Sequence, residues 1–262
     1  MRDKSIKEIK ALLSDIDDPD HFLFNELKED SRIGVQKIIQ QKYRELEKKQ
    51  KRYQDYLKRL DFENEILDRN PRALIAGLDE VGRGPIAGPV VAAAVILPDE
   101  TKSLFEVNDS KLMSHHKRTI LADLIKKEAK AYSIVEISPE VIDKVNIYEA
   151  SRLAMAKAAE QLSPTPHYLL IDAMKIDSSI PQQSIVKGDQ KSLSIAAASI
   201  IAKVYRDELM KKYAEIYPEF GFERHMGYPT KDHLNALNVY GATPIHRQSF
   251  GPVMTSTKKY RE

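Results

Sequence analysis

The chain has 262 residues, of which 42% are hydrophobic and 31% charged, with a formal net charge of +2 and no cysteine. This supports a folded core with a soluble surface, and the length suits one large domain with a smaller appendage. It excludes disulfides, thiolate catalysis and cysteine-ligated zinc, and it means that a polyanionic partner must be met by local basic patches rather than by global charge.

The opening residues lack the apolar core of a secretory signal. Ser5-Ile-Lys-Glu8 has capping-box spacing ahead of Ile6, Ile9, Leu13 and Ile16, and Asp17-Asp-Pro-Asp20 ends that helix. A second short helix is expected from His21 to Lys28. Ile39, Tyr43, Leu46, Gln50, Tyr53, Leu57, Leu60, Asn64 and Leu67 then recur every three or four residues, one face of a long helix that Asn70-Pro71 stops. Residues 1–70 therefore read as a helical N-terminal extension, followed by a catalytic domain over 71–262. The extension holds sixteen basic and sixteen acidic residues. That balance favours a packing role over extra grip on a polyanion through Lys48-Lys-Gln-Lys-Arg52.

Strands are expected at Ala73–Leu78, Val90–Leu97 and Tyr132–Ile137. Ser114 caps a helix bearing Ile120, Leu121, Leu124 and Ile125, and Asn146 caps an alanine-rich helix reaching Leu162. His167–Ile171 reads as a strand delivering Asp172, and Ile185-Val186 leads to Gly188-Asp189. A helix follows from about Ser192 to Tyr217, stopped by Pro218, and Thr230 caps a last one ending at Gly241. Strands interleaved with helices give an α/β domain with one central sheet. The longest apolar run, Ile86 to Leu97, is broken by Gly88 and Pro89 and is too short to cross a bilayer.

Acids at strand ends are the first candidates for chemistry. Asp79 and Glu80 close an apolar strand together, Asp172 closes another, and Asp189 follows Gly188. Ligands of open α/β sheets gather beyond the carboxyl ends of strands. Neighbouring side chains on a strand point to opposite faces, so Asp79 and Glu80 share a site only if the strand breaks there, as Gly82 and Gly84 suggest. Four carboxylates in one pocket would raise at least one pKa, and all-oxygen ligation favours magnesium or manganese over zinc. Taken alone, Asp189 reads equally as a helix cap, and Asp172 divides evenly between ligand and turn residue. Gly82-Arg83-Gly84 could aim backbone groups and a guanidinium at a sugar or phosphate. A nucleotide-binding glycine loop is a weaker reading, because Pro85, Pro89 and a strand follow it instead of a helix. Tyr228, in a Gly-Pro turn among basic residues, suits base stacking and packing of its own loop equally well. The serines of Ser192-Leu-Ser-Ile-Ala-Ala-Ala-Ser199 suit close helix-to-sheet packing rather than catalysis.

Taken together, Ala76-Gly-Leu-Asp-Glu-Val-Gly-Arg-Gly-Pro85, Asn108-Asp-Ser-Lys111, Asn146-Ile147, Leu170-Ile-Asp-Ala173, Lys187-Gly-Asp189, Ala198-Ser-Ile-Ile-Ala-Lys-Val-Tyr-Arg-Asp207, His225-Met-Gly-Tyr-Pro-Thr230 and His246-Arg247 resemble bacterial type 2 ribonuclease H, ribonuclease HII. The match runs in the family's order from about residue 72 to 253. It implies a ribonuclease H-like fold with a central mixed sheet flanked by helices, alongside the N-terminal helical extension. It implies hydrolysis of the RNA strand of RNA·DNA hybrids and nicking of duplex DNA 5′ of an embedded ribonucleotide. Two divalent ions per site, Mg2+ or Mn2+, would be held by Asp79, Glu80, Asp172 and Asp189, the expected catalytic residues. Gly82, Arg83 and Gly84 would sense the ribose 2′-hydroxyl, Tyr228 would stack at the RNA–DNA junction, and Lys111 joins them as a substrate-binding residue. The residue after Lys111 and Met226 stand where many members have lysine, which reduces the expected phosphate contacts. The clamp-binding C-terminal tail of some archaeal members is not seen. The expected partners are RNA·DNA hybrid and ribonucleotide-containing duplex DNA, with no membrane. The protein is expected to be a cytoplasmic monomer. A non-catalytic hybrid-binding protein and an enzyme of free nucleotides are the competing readings. Metal-dependent cleavage separates the first from a nuclease, and mononucleotide binding without polynucleotide cleavage marks the second.

Overall fold

The computed structural model describes residues 3–256, so residues 257–262 of the expected catalytic domain, where a C-terminal tail would fall, lie outside the described residues. Two compact units divide the chain, one ending at Leu57 and the other beginning at Lys58. Helices α1 (Ile6–Ser14), α2 (Phe22–Lys28) and most of α3 (Ile33–Lys58) form the first. The expected capping box is formed, with the Ser5 hydroxyl accepting from Glu8 N–H and the Glu8 carboxylate accepting from Ser5 N–H at 2.7 Å. The three helices bury Ile9, Leu13, Phe24, Leu27, Val35, Ile39 and Leu46 against one another. Phe24 stacks on Tyr43 with ring centres 4.6 Å apart.

The single long helix expected up to Leu67 is instead interrupted. α3 stops at Lys58, and a separate α4 covers Asp61–Leu67. A tertiary contact invisible to periodicity causes the break: the Arg59 carbonyl accepts the Leu193 N–H at 2.8 Å. The expected boundary near residue 71 thus lies one helix beyond the division between the compact units. α4 packs Phe62, Ile66 and Leu67 on Ile75, Leu170, Ile185 and Ile195. Its Glu63 is buried, and one carboxylate oxygen accepts from the Ser192 hydroxyl (2.7 Å), the Ser194 hydroxyl (2.6 Å) and the Ser194 amide (2.9 Å). Burial pushes the Glu63 carboxyl above its ordinary range, against the pull of those donors.

The second unit is built on five strands: β1 (Ile75–Val81), β2 (Val90–Ile96), β3 (Ala131–Ile137), β4 (Tyr168–Asp172) and β5 (Gln182–Ile185). Their order is β3-β2-β1-β4-β5. The first three are antiparallel neighbours, while β4 runs parallel to β1 and β5 parallel to β4, so the sheet is mixed. Between them lie α5 (His115–Glu128), α6 (Pro139–Val145) and α7 (Ile147–Glu160); α8 (Gly188–Lys191), α9 (Leu193–Ile216), α10 (Phe222–His225), α11 (Lys231–Tyr240) and α12 (Gly251–Met254) follow. The caps expected at Ser114, Asn146 and Thr230 each accept an amide of the first turn, and Ser192 does the same at the start of α9. Among the described residues no helix is long and apolar enough to cross a membrane.

Strand alternation assigns two faces. Ala76, Leu78, Ala92, Ala94, Leu169 and Ile171 join Ala150, Ala154 and Ala158 of α7 in the largest core cluster. On the other face, Ile75 and Leu170 meet Ile195 of α9. The alanine-rich sequences of both helices let them lie close to the sheet, and the closest approach is at Gly77. A methyl group there would overlap the backbone of Ser194 and Ile195.

We expect Gly77→Ala to push α9 off β1 and to cost about 1–3 kcal/mol, the usual range for overpacking. A urea midpoint equal to wild type at an unchanged slope would show that the strand-to-helix spacing is not set here.

Candidate active site

The acids meet at one end of the sheet. Leu78 of β1 pairs with Ile171 of β4, so Asp79 and Asp172 follow side by side on parallel strands. Both face α9, as the alternation from Gly77 and from Leu170 requires. The strand break expected between Asp79 and Glu80 is absent. Pairing with β2 stays regular through Asp79–Ala93, Glu80–Ala92 and Val81–Val91, and β1 ends only before Gly82. Glu80 therefore leaves the opposite face of β1 from Asp79. The antiparallel pairing to β2 holds the strand regular; the glycines act one residue later.

Burial is the first cause of the electrostatic character of this end. It raises the Asp79 carboxyl well above its usual range, and the charges of Glu80 and Asp172 add to it. The Ser199 hydroxyl and the Glu80 N–H, 2.8 Å from Asp79 Oδ1, oppose it. Glu80 is pushed up to about 7 by burial, with Arg83 lowering it and Asp172 raising it. Its Oε2 is buried with no hydrogen-bond partner. Asp172 is raised by burial and by Asp189, while the Gly188 N–H, 2.6 Å from its Oδ1, lowers it. That amide reaches Asp172 because Ala173 and Lys187 both take left-handed backbone, at φ 48 and 58. Asp189, on α8, is buried and receives the Lys111 ammonium at 3.3 Å. Lys111 itself is 77% exposed. Arg83, half exposed, stands 3.6 Å from Glu80.

The four acids expected as ligands are thus linked through Asp172, which repels Asp79 and Glu80 and is itself repelled by Asp189. They are not drawn into a ready-made cage: among the described residues no three His, Asp or Glu side chains are gathered to hold a metal ion. Asp79 and Glu80 leave opposite strand faces, Asp172 is turned to the Gly188 amide, and Asp189 is turned to Lys111. The donor set is all oxygen, with one Glu80 oxygen buried and uncommitted. That chemistry fits a hard divalent cation, whose binding would have to draw the carboxylates together.

A second group lies beside the acids. Gly84 sits under the Tyr228 ring, where an added Cβ would be 3.1 Å from Cε1. The ring is 46% exposed. Its loop is held by two buried histidines whose protons can be placed by elimination. His246 Nδ1 accepts the Thr243 amide at 3.0 Å, so its Nε2 carries the proton and donates to His233 Nε2 at 3.0 Å. His233 Nδ1 then donates to the Tyr228 carbonyl at 2.8 Å.

Some contributors were not foreseen. Ser199 was expected to serve packing alone, yet its hydroxyl lowers the Asp79 carboxyl and lies 3.1 Å from the Ser110 hydroxyl. Arg206 and Arg247 are fully buried behind the glycine loop. The signal was present, since Ser199, Lys203 and Arg206 recur at helical spacing within an alanine-rich helix.

A family model described as Ribonuclease HII matches residues 76–253, and one described as the Ribonuclease HII N-terminal domain matches residues 5–67. Ribonuclease HII of Bacillus mycoides strain KBAB4 is 49% identical over 259 residues, covering 99% of this chain and 100% of the relative. That of Lactobacillus delbrueckii subsp. bulgaricus is 51% identical over 256 residues, covering 97% and 98%. Among solved structures, the ribonuclease H2 from Pyrococcus horikoshii OT3 aligns with a TM-score of 0.60 at 25% identity, covering 69% of this chain and 95% of that one. A chain of the PCNA:RNase HII complex from Archaeoglobus fulgidus aligns with a TM-score of 0.60 at 26% identity, covering 68% and 95%.

Burial lowers His233 to about 4 and His246 to about 3, each further depressed by a neighbouring imidazole. The fold therefore favours their neutral forms. Their stabilising contribution is complete above the ordinary histidine pKa of about 6.5 and is lost as pH falls through that value towards about 4. In an imidazole NMR titration from about pH 8 to 5, neither ring should move; a midpoint above about 6 for either would break the assigned hydrogen-bond chain.

Proposed function

The chain belongs to the ribonuclease HII family, endonucleases that degrade the RNA of RNA·DNA hybrids, and we propose that it also nicks duplex DNA 5′ of a single embedded ribonucleotide, leaving 3′-hydroxyl and 5′-phosphate ends. The observation that carries this reading is the cluster of mutually repelling carboxyls at the end of β1 and β4, beside an exposed glycine loop that lies under a half-exposed tyrosine. Asp79, Glu80, Asp172 and Asp189 would hold two divalent ions, Mg2+ or Mn2+. Ions bound there supply Lewis-acid activation of water and stabilisation of the departing 3′ oxygen.

The remaining steps belong to the chain's own residues. The Glu80 amide holds Asp79 by Oδ1, and the Ser199 hydroxyl lowers the same carboxyl from the helix side. The Gly188 amide fixes Asp172 in the same way. Lys111 balances Asp189, and its exposure lets it turn to a phosphate. Arg83, beside Glu80, offers a guanidinium to the scissile strand. The backbone of Gly82–Gly84 reads the 2′-hydroxyl, the group that separates RNA from DNA, and Tyr228 stacks on the sugar–base unit at the junction. Residues 1–70 serve as a helical appendage to this catalytic domain.

Asp79→Asn keeps the shape and the hydrogen-bond acceptor but removes the central charge. Cleavage of a hybrid in magnesium or manganese should fall at least about 100-fold, while the circular dichroism spectrum is retained. Full activity in a folded variant would end the proposal. Tyr228→Ala should slow nicking at a single ribonucleotide about ten-fold or more, in line with the ~1–3 kcal/mol of a base–aromatic stack. An unchanged rate would remove Tyr228 from the site.

A further inference from the structure

Two arginines of the second unit are fully buried, Arg247 at 0% and Arg206 at 1% exposure. Among the described residues neither has a carboxylate within ion-pair distance. Each spends its guanidinium on backbone carbonyls instead. Arg247 donates from Nε to Gly88 O at 2.9 Å, from Nη1 to Arg83 O at 3.1 Å and from Nη2 to Gly82 O at 2.6 Å. Arg206 donates from Nε to Pro89 O at 3.0 Å, from Nη1 to Met226 O at 3.0 Å and from Nη2 to Ala87 O at 3.1 Å. Burying two like charges side by side is costly, and burial lowers Arg247 to about 9 with Arg206 adding to the shift. Structure maintained at such a cost needs a use.

Peptide geometry supplies one. In a planar trans peptide the N–H points opposite to the preceding C=O. Arg247 draws the Gly82 and Arg83 carbonyls inward, so the amides of Arg83 and Gly84 face outward. Gly82 is buried, whereas Arg83 and Gly84 are exposed. Neither amide finds an acceptor among the described residues. They lie beside the Tyr228 ring. A pair of oriented donors backed by a buried cation is a receptor for one oxygen acceptor of the substrate.

We propose that Arg247 is the positioning residue for ribose discrimination: by anchoring the Gly82 and Arg83 carbonyls it presents the Arg83 and Gly84 amides as a fixed donor pair to the 2′ oxygen. Arg206 braces the same loop from Ala87 and Pro89 and ties it to the Tyr228 loop through Met226. The inference rests on the reading that Gly82–Gly84 senses the 2′-hydroxyl. The planar fork matters because Arg247 donates from three separate nitrogens fixed in one plane, whereas the three N–H groups of an ammonium diverge from a single nitrogen. Arg247→Lys keeps the charge and loses the fork.

The test is the ratio of affinities for a duplex carrying one ribonucleotide and for the same all-DNA duplex, in wild type and in Arg247→Lys. Partial unfolding scales both affinities alike and leaves the ratio unmoved, so the ratio reports positioning alone. We expect it to fall about ten-fold, the equivalent of one well-placed hydrogen bond. Methylguanidinium added to Arg247→Ala should restore part of it. A ratio retained in folded Arg247→Lys overturns the positioning role while leaving the functional reading intact. A wild type that binds both duplexes alike overturns the functional reading and this inference with it. Should neither variant fold, wild-type amide resonances carry the test. Arg83 and Gly84 N–H shifts induced only by the ribonucleotide duplex support the assignment, and equal shifts with both duplexes overturn it.

Discussion

Everything at the active end follows from helix α9 lying directly on strand β1. The contact is possible because residue 77 has no Cβ, so the Ser194 and Ile195 backbone rests on the strand. From that origin the two elements run together. Ser199 of the helix arrives beside Asp79, whose carboxyl it lowers, and about two turns further the Arg206 guanidinium arrives under Gly82. A wider gap would leave Asp79 without its hydroxyl and the glycine loop without its brace. Close packing of small residues and placement of catalytic groups are therefore one design problem.

The carboxyls illustrate what such packing must hold. Desolvation is the leading cause of the upward shift at Asp79, Glu80 and Asp172; Asp172 adds to it at Asp79 and Glu80, and Asp189 adds to it at Asp172. The chain contains the repulsion by giving each acid a separate restraint: a serine and an amide for Asp79, an amide for Asp172, a lysine for Asp189 and an arginine for Glu80. Those restraints explain how four acids share one end of a sheet without forming a closed ligand set. Site residues placed this way trade stability for readiness to bind positive charge.

Local signals in the sequence were faithful where the physics is local. Ser5, Ser114, Asn146, Ser192 and Thr230 cap their helices because a side-chain oxygen needs only the next turn's amides to act. The strands at 75–81 and 90–96 are legible as apolar runs too short to be helices. Asp79, Glu80 and Asp172 were recognisable as strand-end acids. Misreadings arose where a distant partner decides. Periodicity carried one helix across residues 58–60, but the Leu193 amide takes the Arg59 carbonyl and breaks it. The glycines after Glu80 suggested a strand break, but pairing with β2 overrides them. Helical spacing hinted at Arg206 alone; Arg247 carried no hint of burial, since a charged residue in a motif looks the same whether it faces solvent or three carbonyls.

The Gly-Arg-Gly loop answers to two masters. Its first glycine is imposed from beneath, because any side chain there would collide with the Arg206 guanidinium, and its φ of 95 already disfavours other residues. Its last glycine is imposed from above by the Tyr228 ring. The two glycines thus stand there for unrelated reasons, one architectural and one steric at the surface. Evolution can loosen the upper constraint by reshaping the tyrosine loop alone, whereas the lower one yields only to a rebuilt interior. A drift in substrate preference should therefore be written at residue 84 and never at residue 82.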